Sequence, residues 1–320
     1  MTASLAPVFE PGFFSSGPVH VALIVGGVSA VVSAVVGVFT VIRGQSFAGH
    51  ALSDIGTAGG SAAVLVGVST FYGYVALNVV AAGVMELIGI RRPRGRDLAT
   101  GIVLGVSLGL AALFLYEDTV TSTTTGATVS VLFGSIFALP PSTVPVIAVL
   151  ASIPLALIVV LYRPLLLTSV SSDLAAARRV PIRLVGIGYL LALALAVSLS
   201  AVTIGAILST ALLIGPAATS LRCTTRTGVA IAAAAGLGLG ATWVGTLIAY
   251  DSAVWTGGQG WPVSFCVVAV VFALYLSSAV PARLRRARRH PGRPGRASRS
   301  NHRPGIVAGR MRSGPAAEVG

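Results

Sequence analysis

The sequence predicts an all-α, polytopic integral membrane protein with about eight or nine transmembrane helices. Of its 320 residues, 55% are hydrophobic and only 10% are charged, whereas soluble globular domains carry about 25% charged residues. Apolar runs of about 20 residues recur along the chain, which is the length that a helix needs to cross a hydrocarbon core of about 30 Å. The spans must be helices, because lipid offers no hydrogen-bond partner to an open backbone.

Nine apolar runs are candidate spans. They cover residues 19–42, 47–69, 71–90, 98–115, 142–162, 184–202, 204–221, 228–250 and 262–280. The segment 125–141 is interpreted as a short or re-entrant helix that does not cross. With the N-terminus outside and the C-terminus in the cytoplasm, every arginine then falls on the cytoplasmic side, as the positive-inside rule requires. This pattern indicates a multi-pass protein of the bacterial cytoplasmic membrane.

Three regions follow from this map. Residues 1–18 form an extracytoplasmic N-terminal segment, residues 19–280 form the transmembrane domain, and residues 281–320 form an Arg-rich cytoplasmic tail. No basic segment precedes the first apolar run, so we expect no secretory signal and expect the first span to remain in the mature chain. The tail is rich in Pro, Gly and Arg without apolar periodicity, which predicts disorder.

The positive charge is mainly a property of the tail. The net charge is +13, and eleven of the 22 arginines lie between Arg283 and Arg312. Basic residues beside the last span favour contact with anionic membrane lipid and a stop signal over nucleic-acid binding, so no nucleic-acid partner is expected.

The sequence lacks the motifs of cysteine-based metal sites, nucleotide hydrolysis and common hydrolases. The two cysteines, Cys223 and Cys266, lack Cys-x-x-Cys spacing, so a disulfide scaffold and a cysteine metal cluster are not expected. The chain has no phosphate-binding Gly-x-x-x-x-Gly-Lys-Ser/Thr loop, no His-Glu-x-x-His and no Gly-x-Ser-x-Gly. We therefore expect no enzyme activity, and any ATP hydrolysis must come from a separate subunit.

A short helix is predicted in the longest cytoplasmic loop, residues 163–183. The segment offers an N-cap, an acid in the first turn, basic residues in the last turn and a proline that stops the helix. The residues that supply these signals are Ser171 or Ser172, Asp173, Arg178, Arg179 and Pro181. Such a helix is either a plain connector or an element by which a permease contacts a motor domain.

Four segments in a fixed order resemble a known family. They read VFTVIRGQSFAGHALSD, VSVLFGSIFAL, SDLAAARRVP and GAILSTALLIGPAATS. Together they are similar to the permease subunit of bacterial ABC importers for zinc, manganese and iron, the metal ABC type 3 family, and the similarity covers residues 19–280.

The resemblance implies a fold like the permease core of vitamin-B12 importers. It implies two permease copies as a homodimer, separate cytoplasmic ATPase subunits that bind ATP, and an extracytoplasmic metal-binding protein, with the divalent metal as cargo and no permanent cofactor. Residues 212–220 become a short helix beside the pathway, and residues 171–181 become the coupling helix that contacts the ATPase. The coupling residues are Asp173, Leu174, Ala175, Arg178, Arg179 and Pro181.

The second span carries an acid and an imidazole four residues apart. The motif of the family commonly reads Asp-Ala-Leu-Ser-His, and here the ends are exchanged, as His50-Ala51-Leu52-Ser53-Asp54. Residues four apart face the same side of a helix, so His50 and Asp54 can share one ion. Counted from Arg43 at about 1.5 Å per residue, they lie roughly 10 Å and 16 Å into the membrane.

A carboxylate at that depth costs about 2.5 to 3.5 kcal/mol on insertion scales, which favours a role in ion handling. Asp54 could instead be protonated, or bonded to His50 or a neighbouring hydroxyl. One nitrogen and one oxygen ligand suit zinc or manganese, and two ligands from each of two copies would form a transient site. Zinc is the first expectation because of the imidazole, and manganese is the second.

Other polar residues are secondary candidates. Ser53 is a possible pathway residue, and Asn78 either lines the pathway or makes an interhelical hydrogen bond. The glycines of the second span allow close helix contact or a narrow water path. Three acids are expected in outer loops, where they either dock the metal-delivery protein or are ordinary surface residues: Glu117, Asp118 and Asp251.

The predicted function is therefore the membrane-spanning permease of an ATP-driven importer for divalent metal ions. One alternative is an ABC permease for iron chelates or a vitamin, whose wide pathway needs no ligand pair. Another is a proton-coupled secondary metal transporter that uses His50 and Asp54 as a proton relay.

Overall fold

The computed structural model describes residues 13–89, 93–121, 126–256 and 260–289, and every regular element within these ranges is helical. Two short 3-10 helices cover Phe13–Ser15 and Ile136–Ala138. The α-helices are α1 (Gly17–Ile42), α2 (Ser46–Leu65), α3 (Thr70–Gly89), α4 (Pro93–Thr121), α5 (Gly126–Phe133), α6 (Thr143–Val170), α7 (Ser172–Ala177), α8 (Ile182–Ile204), α9 (Ala206–Cys223), α10 (Thr227–Trp255) and α11 (Val263–Arg289).

Each of the nine predicted runs coincides with one long helix. The segment predicted not to cross contains α5, whose eight residues reach only about 12 Å at 1.5 Å per residue. Among the described residues, seven helices are long and apolar enough to span a membrane: α1, α3, α4, α6, α8, α9 and α10. α11 has a shorter apolar stretch, Val263–Ser278. The all-α, multi-pass prediction is confirmed.

α2 does not belong to those seven, although its sequence was predicted to span the membrane. Twelve of its twenty residues are buried, and it packs against α3, α4, α8 and α9. A helix enclosed by other helices meets little lipid, so it tolerates the Gly, Ser and Thr residues that lower its hydropathy.

α1 and α8 form the centre of the helical bundle. In each of them 78% of the apolar span is buried, compared with 17% in α4 and 22% in α6. Fully buried side chains of these two helices include Phe39, Tyr189 and Leu193. α4 and α6 therefore supply surface that faces the surroundings, and α2 lies close to the centre.

Several helices are longer than their apolar runs, including α4, α6 and α10. α4 extends to Pro93 and Thr121, beyond the run 98–115, and α6 continues through Pro164 to Val170, beyond the run 142–162. A helix needs apolar residues only within the hydrocarbon, and its backbone ladder continues into the polar interface. The predicted loop 163–183 is therefore mostly helix, and only a short connection to α8 remains.

α8 and α9 are separated by a single residue, Gly205, whose φ is +85°. Gly134, after α5, has a φ of +78°. The two turns touch through their backbones, because a Cβ on Gly205 would lie 2.2 Å from the Leu132 oxygen. Only glycine accepts both the positive φ and this close approach, and the contact places the first turn of α9 beside α2.

The chain divides into a compact unit, Met1–Ala282, and a second unit, Arg283–Gly320. Residues 281–289 are helical as the end of α11, and the disorder of the Arg-rich tail stays a prediction. Residues 290–320, which hold most of the predicted disordered tail, lie outside the described residues, as do residues 1–12 of the N-terminal segment.

Candidate metal-binding site

His50 and Asp54 lie side by side on one face of α2. His50 Nε2 is 3.5 Å from Asp54 Oδ2, and the two side chains are 52% and 14% exposed. α2 begins at Ser46, because residues 43–45 form a turn. Counted from Ser46 at about 1.5 Å per residue, His50 lies about 6 Å and Asp54 about 12 Å along the helix. The two side chains share one face of α2, as the four-residue spacing predicted.

The side of α2 that carries this pair is open only over its first two turns, where Phe47 is 47% and His50 is 52% exposed. Farther along the same side, Asp54 is 14% exposed and Ser61 is buried. The opposite directions are occupied: Gly49 faces Leu213 of α9, and Gly56 and Gly60 face Asn78 and Tyr74 of α3. The described residues contain no group of three or more His, Cys, Asp or Glu side chains placed to hold a metal. The described part of one protomer therefore brings together one imidazole and one carboxylate here, which is too few for a closed metal site.

Ser53 points away from the pair. Its hydroxyl lies 2.6 Å from Ser209 Oγ and also donates to the Ala206 carbonyl, and the residue is 1% exposed. Adjacent helical residues differ by about 100° in direction, so Ser53 and Asp54 cannot face the same space. The structure places Ser53 in the contact between α2 and α9, and it does not support the predicted position on the pathway.

Asn78 makes an interhelical hydrogen bond, which was one of its two predicted roles. It is fully buried on α3, and its Nδ2 donates to Ser198 Oγ of α8 at 2.9 Å. A Cβ on Gly56 would lie 2.8 Å from that amide nitrogen. Asn78 therefore packs behind the site helix and joins α3 to α8.

The glycines of α2 provide close helix contact. A Cβ on Gly59 would lie 2.3 Å from the Gly73 carbonyl oxygen of α3, and a Cβ on Gly73 would lie 2.1 Å from the Gly59 oxygen. Backbones that approach this closely leave no room for a water path between them. These contacts fix the position of α2 along the axis of α3. They therefore also fix the positions of His50 and Asp54.

The predicted coupling helix is present as α7 and is shorter than expected. Ser171 is the N-cap, and its Oγ accepts a hydrogen bond from Leu174 N at 3.2 Å. Leu174 is 47% exposed, whereas Ala175 is fully buried. α7 is therefore a surface element on which Leu174 is an exposed large apolar side chain.

The two predicted last-turn arginines lie after α7. Arg178 is the C-cap and Arg179 has a φ of +55°, and both are exposed. Pro181 is the N-cap residue of α8, so it begins the next helix after α7 has already ended. The side chain of Asp173 lies outside the described residues.

The three acids predicted in outer loops lie on helices. Glu117 and Asp118 belong to α4 and Asp251 belongs to α10. Asp118 is 3% and Asp251 is 5% exposed, while Glu117 is exposed. Burial excludes direct docking through Asp118 and Asp251 in this structure and leaves Glu117 as the accessible acid of the three.

Sequence reasoning missed the partner of Ser53. Ser209 is fully buried on α9, and its only signal was a small polar residue in an apolar run, which is typical of helix packing. It also missed Arg43, Thr168 and Tyr189, which join α1, α6 and α8 near the start of α2. No local pattern shows which distant helix supplies a partner.

Comparisons with known proteins agree with the fold. The model of the family described as the ABC 3 transport family matches residues 18–280. Two relatives named "Manganese transport system membrane protein MntC", from Listeria innocua and Listeria monocytogenes, are each 26% identical over 170 residues. The match covers 53% of this chain and 59% of each relative, so the chain spans little more than half the length of these relatives.

Two solved structures have the same fold. PsaBC from Streptococcus pneumoniae, in complex with Fab, superposes with a TM-score of 0.69 at 24% identity, over 83% of this chain and 92% of that one. An inward-facing structure assigned as a metal-chelate type ABC transporter gives a TM-score of 0.68 at 16% identity, over 88% and 91%.

Proposed function

The chain belongs to the ABC 3 transport family, and from this premise we propose that it is the permease of an ATP-driven importer for divalent metal ions. It is a multi-pass metal ABC transporter permease, which is a transport subunit. The observation that carries the proposal is the His50 and Asp54 pair, 3.5 Å apart, with His50 52% exposed and Asp54 14% exposed at the open start of an otherwise enclosed helix.

We place manganese before zinc as the cargo. The imidazole of His50 favoured zinc in the sequence, but a nitrogen and a carboxylate oxygen are acceptable to both metals. The two relatives are named for manganese transport, which supports manganese as the first choice. Neither metal is a resident cofactor in this proposal, because each is the ion that passes through.

A second copy of the chain completes the site in this proposal. Each protomer offers one imidazole and one carboxylate, and the 52% exposure of His50 leaves it open to ligands from outside the protomer. A homodimer with the open starts of the two α2 helices opposed would supply up to two His and two Asp ligands. Ion exit remains possible, because weakly held ions leave a pathway faster than ions in a closed site.

Two further partners complete the importer. A cytoplasmic ATPase binds and hydrolyses ATP and contacts α7, with the N-terminus of the permease outside and the C-terminus in the cytoplasm. An extracytoplasmic metal-binding protein delivers the ion at the opposite face, where Glu117 of α4 is exposed.

Transport in proteoliposomes tests the proposal. We expect the complete complex to take up radiolabelled manganese, and zinc more slowly, only when ATP is supplied. Uptake that persists with a proton gradient and without the ATPase would favour a secondary transporter. Uptake of an iron chelate or a vitamin, with no uptake of the free ion, would favour the wide-pathway ABC permease.

A substitution in α7 tests the contact with the ATPase. We expect Leu174→Asp to weaken ATPase binding by about 30-fold, because removing an apolar anchor from an interface costs about 2 kcal/mol. The measurement is the amount of ATPase that co-purifies with the permease, together with ATP-driven uptake. Leu174→Met is the matched control, since it keeps apolar volume and should bind normally. Normal binding and uptake by Leu174→Asp would contradict the role of α7.

A further inference from the structure

The turn between α1 and α2 holds the end of one helix close to the start of the next. Arg43 N donates to Phe39 O at 2.9 Å, and Gln45 N donates to Thr40 O at 2.9 Å. Gly44 has a φ of +64°, which reverses the chain within three residues. Because α2 begins at Ser46, a displacement of Arg43 also displaces the first turn of α2, and with it His50.

The guanidinium of Arg43 is bonded to the end of α6. Its Nη1 donates to Thr168 Oγ1 at 2.9 Å. The Thr168 hydroxyl in turn donates to the Pro164 carbonyl at 2.9 Å, so both its donor and its acceptor functions are used. Thr168 lies three residues before Ser171, the N-cap of α7.

The same guanidinium also contacts α8. Its Cζ is 4.9 Å from the centroid of the Tyr189 ring, a distance at which a cation is attracted to an aromatic face. Tyr189 is fully buried, and its hydroxyl donates to Thr40 Oγ1 of α1 at 2.9 Å. Arg43 therefore touches the helix before α7 and the helix after it.

α7 packs mainly against these same two helices, α6 and α8. A force applied to α7 reaches them first, and Arg43 joins both to the start of α2. We propose that Arg43 is the positioning residue that transmits the displacement of α7 to His50 and Asp54. The proposal rests on the proposed function in one respect, which is that the ATPase acts on α7.

Arginine is suited to this position because one planar group does two things. Its fork donates a directed hydrogen bond to Thr168 while its face lies over the Tyr189 ring, and a lysine ammonium cannot do both in one geometry. We therefore expect Arg43→Lys to transmit the movement only in part.

The sharpest test uses substitutions of Thr168, because they remove or keep the acceptor of the Arg43 hydrogen bond without changing the charge. Thr168→Val deletes the hydroxyl at nearly constant volume, and Thr168→Ser keeps it. In proteoliposomes with the complete complex, we expect Thr168→Val to raise the ATP hydrolysed per manganese ion imported by about fivefold or more. We expect Thr168→Ser to match the wild type, and basal ATP hydrolysis to be unchanged in both.

A second readout follows the movement of α2 directly. Phe47 is 47% exposed near the start of α2, so Phe47→Cys, in a chain with Cys223→Ser and Cys266→Ser, reports its accessibility to a thiol reagent. We expect ATP to change the labelling rate in this background and the change to disappear when Thr168→Val is added.

The outcomes distinguish failure of the proposed link from failure of the proposed function. An unchanged ratio of ATP to manganese and an unchanged labelling response in Thr168→Val, even with lower thermal stability, would show that Arg43 is only a structural tie and would overturn the proposal. Absence of manganese and zinc uptake in the wild type would instead contradict the proposed cargo. The labelling response to ATP still tests the link in that case, because it does not depend on which substrate is carried.

Discussion

Replacing Asp54 with alanine is expected to abolish ATP-driven manganese uptake, with a loss of about a hundredfold or more. Even the outer-shell partners of metal ligands typically cost 10- to 100-fold when mutated, and Asp54 is one of the two side chains that we propose as metal ligands. His50→Ala is expected to act in the same way, because Asp54 alone retains one ligand per copy. The measurement is the initial rate of radiolabelled manganese uptake at equal amounts of folded complex.

His20→Ala is the matched control for this experiment. His20 is an exposed histidine at the start of α1, outside α2, and we expect its removal to leave uptake unchanged. Full uptake by both His50→Ala and Asp54→Ala would show that the pair is only a satisfied internal contact, and the proposed pathway would then be wrong.

Exchanging the two residues tests whether their order matters. The double variant His50→Asp with Asp54→His restores the order of the family motif and keeps both ligands on one face of α2. We expect uptake to persist, with a changed ratio of manganese to zinc, because the nitrogen and the oxygen ligand exchange depth by one helical turn. Complete loss of uptake would show that the site requires its ligands in the present order.

Replacing Gly37 with valine is expected to prevent folding of the helical bundle. A Cβ at this position would lie 1.8 Å from the Leu213 carbonyl oxygen of α9, which is backbone and cannot rotate away. α1 and α9 would have to separate, and overpacking of this kind costs about 3 kcal/mol or more. The measurement is the yield of monodisperse protein in detergent and its thermal unfolding temperature.

Gly83→Ala on α3 is the control for steric specificity. No heavy atom lies within 4 Å of a Cβ built on Gly83, and alanine is the better helix former. We expect normal yield and an unchanged or slightly higher unfolding temperature. A normal yield and unfolding temperature for Gly37→Val would contradict the close crossing of α1 and α9.

The helical spans could be predicted because span length is a local property of the chain. Nine apolar runs match nine helices, and the eight-residue α5 was correctly separated from them. The ends of α4 and α6 were wrong, because a helix continues beyond the hydrocarbon wherever its backbone ladder is undisturbed. The prediction that Asp118 and Asp251 lie in outer loops was wrong for the same reason, because α4 and α10 extend past these residues.

The directions of side chains around a single helix could also be predicted from the sequence. A spacing of four residues predicted that His50 and Asp54 share a face. The same geometry places Ser53 about 100° from Asp54, so its assignment to the pathway was already in conflict with helical periodicity. The partner of Ser53 was not predictable, because Ser209 is 156 residues away in the chain.

The sequence by itself determined the membrane class, the helical spans, the family resemblance and the shared face of His50 and Asp54 on α2, because apolar length and the 3.6-residue period act within one segment. Only the tertiary structure decided which part of α2 stays open and which residues join distant helices. Asn78 reaches Ser198 across 120 residues, and Arg43 reaches Thr168 across 125. Such pairs depend on the rotation of each helix and on its position along its axis. Backbone contacts such as that of Gly59 with Gly73 set both.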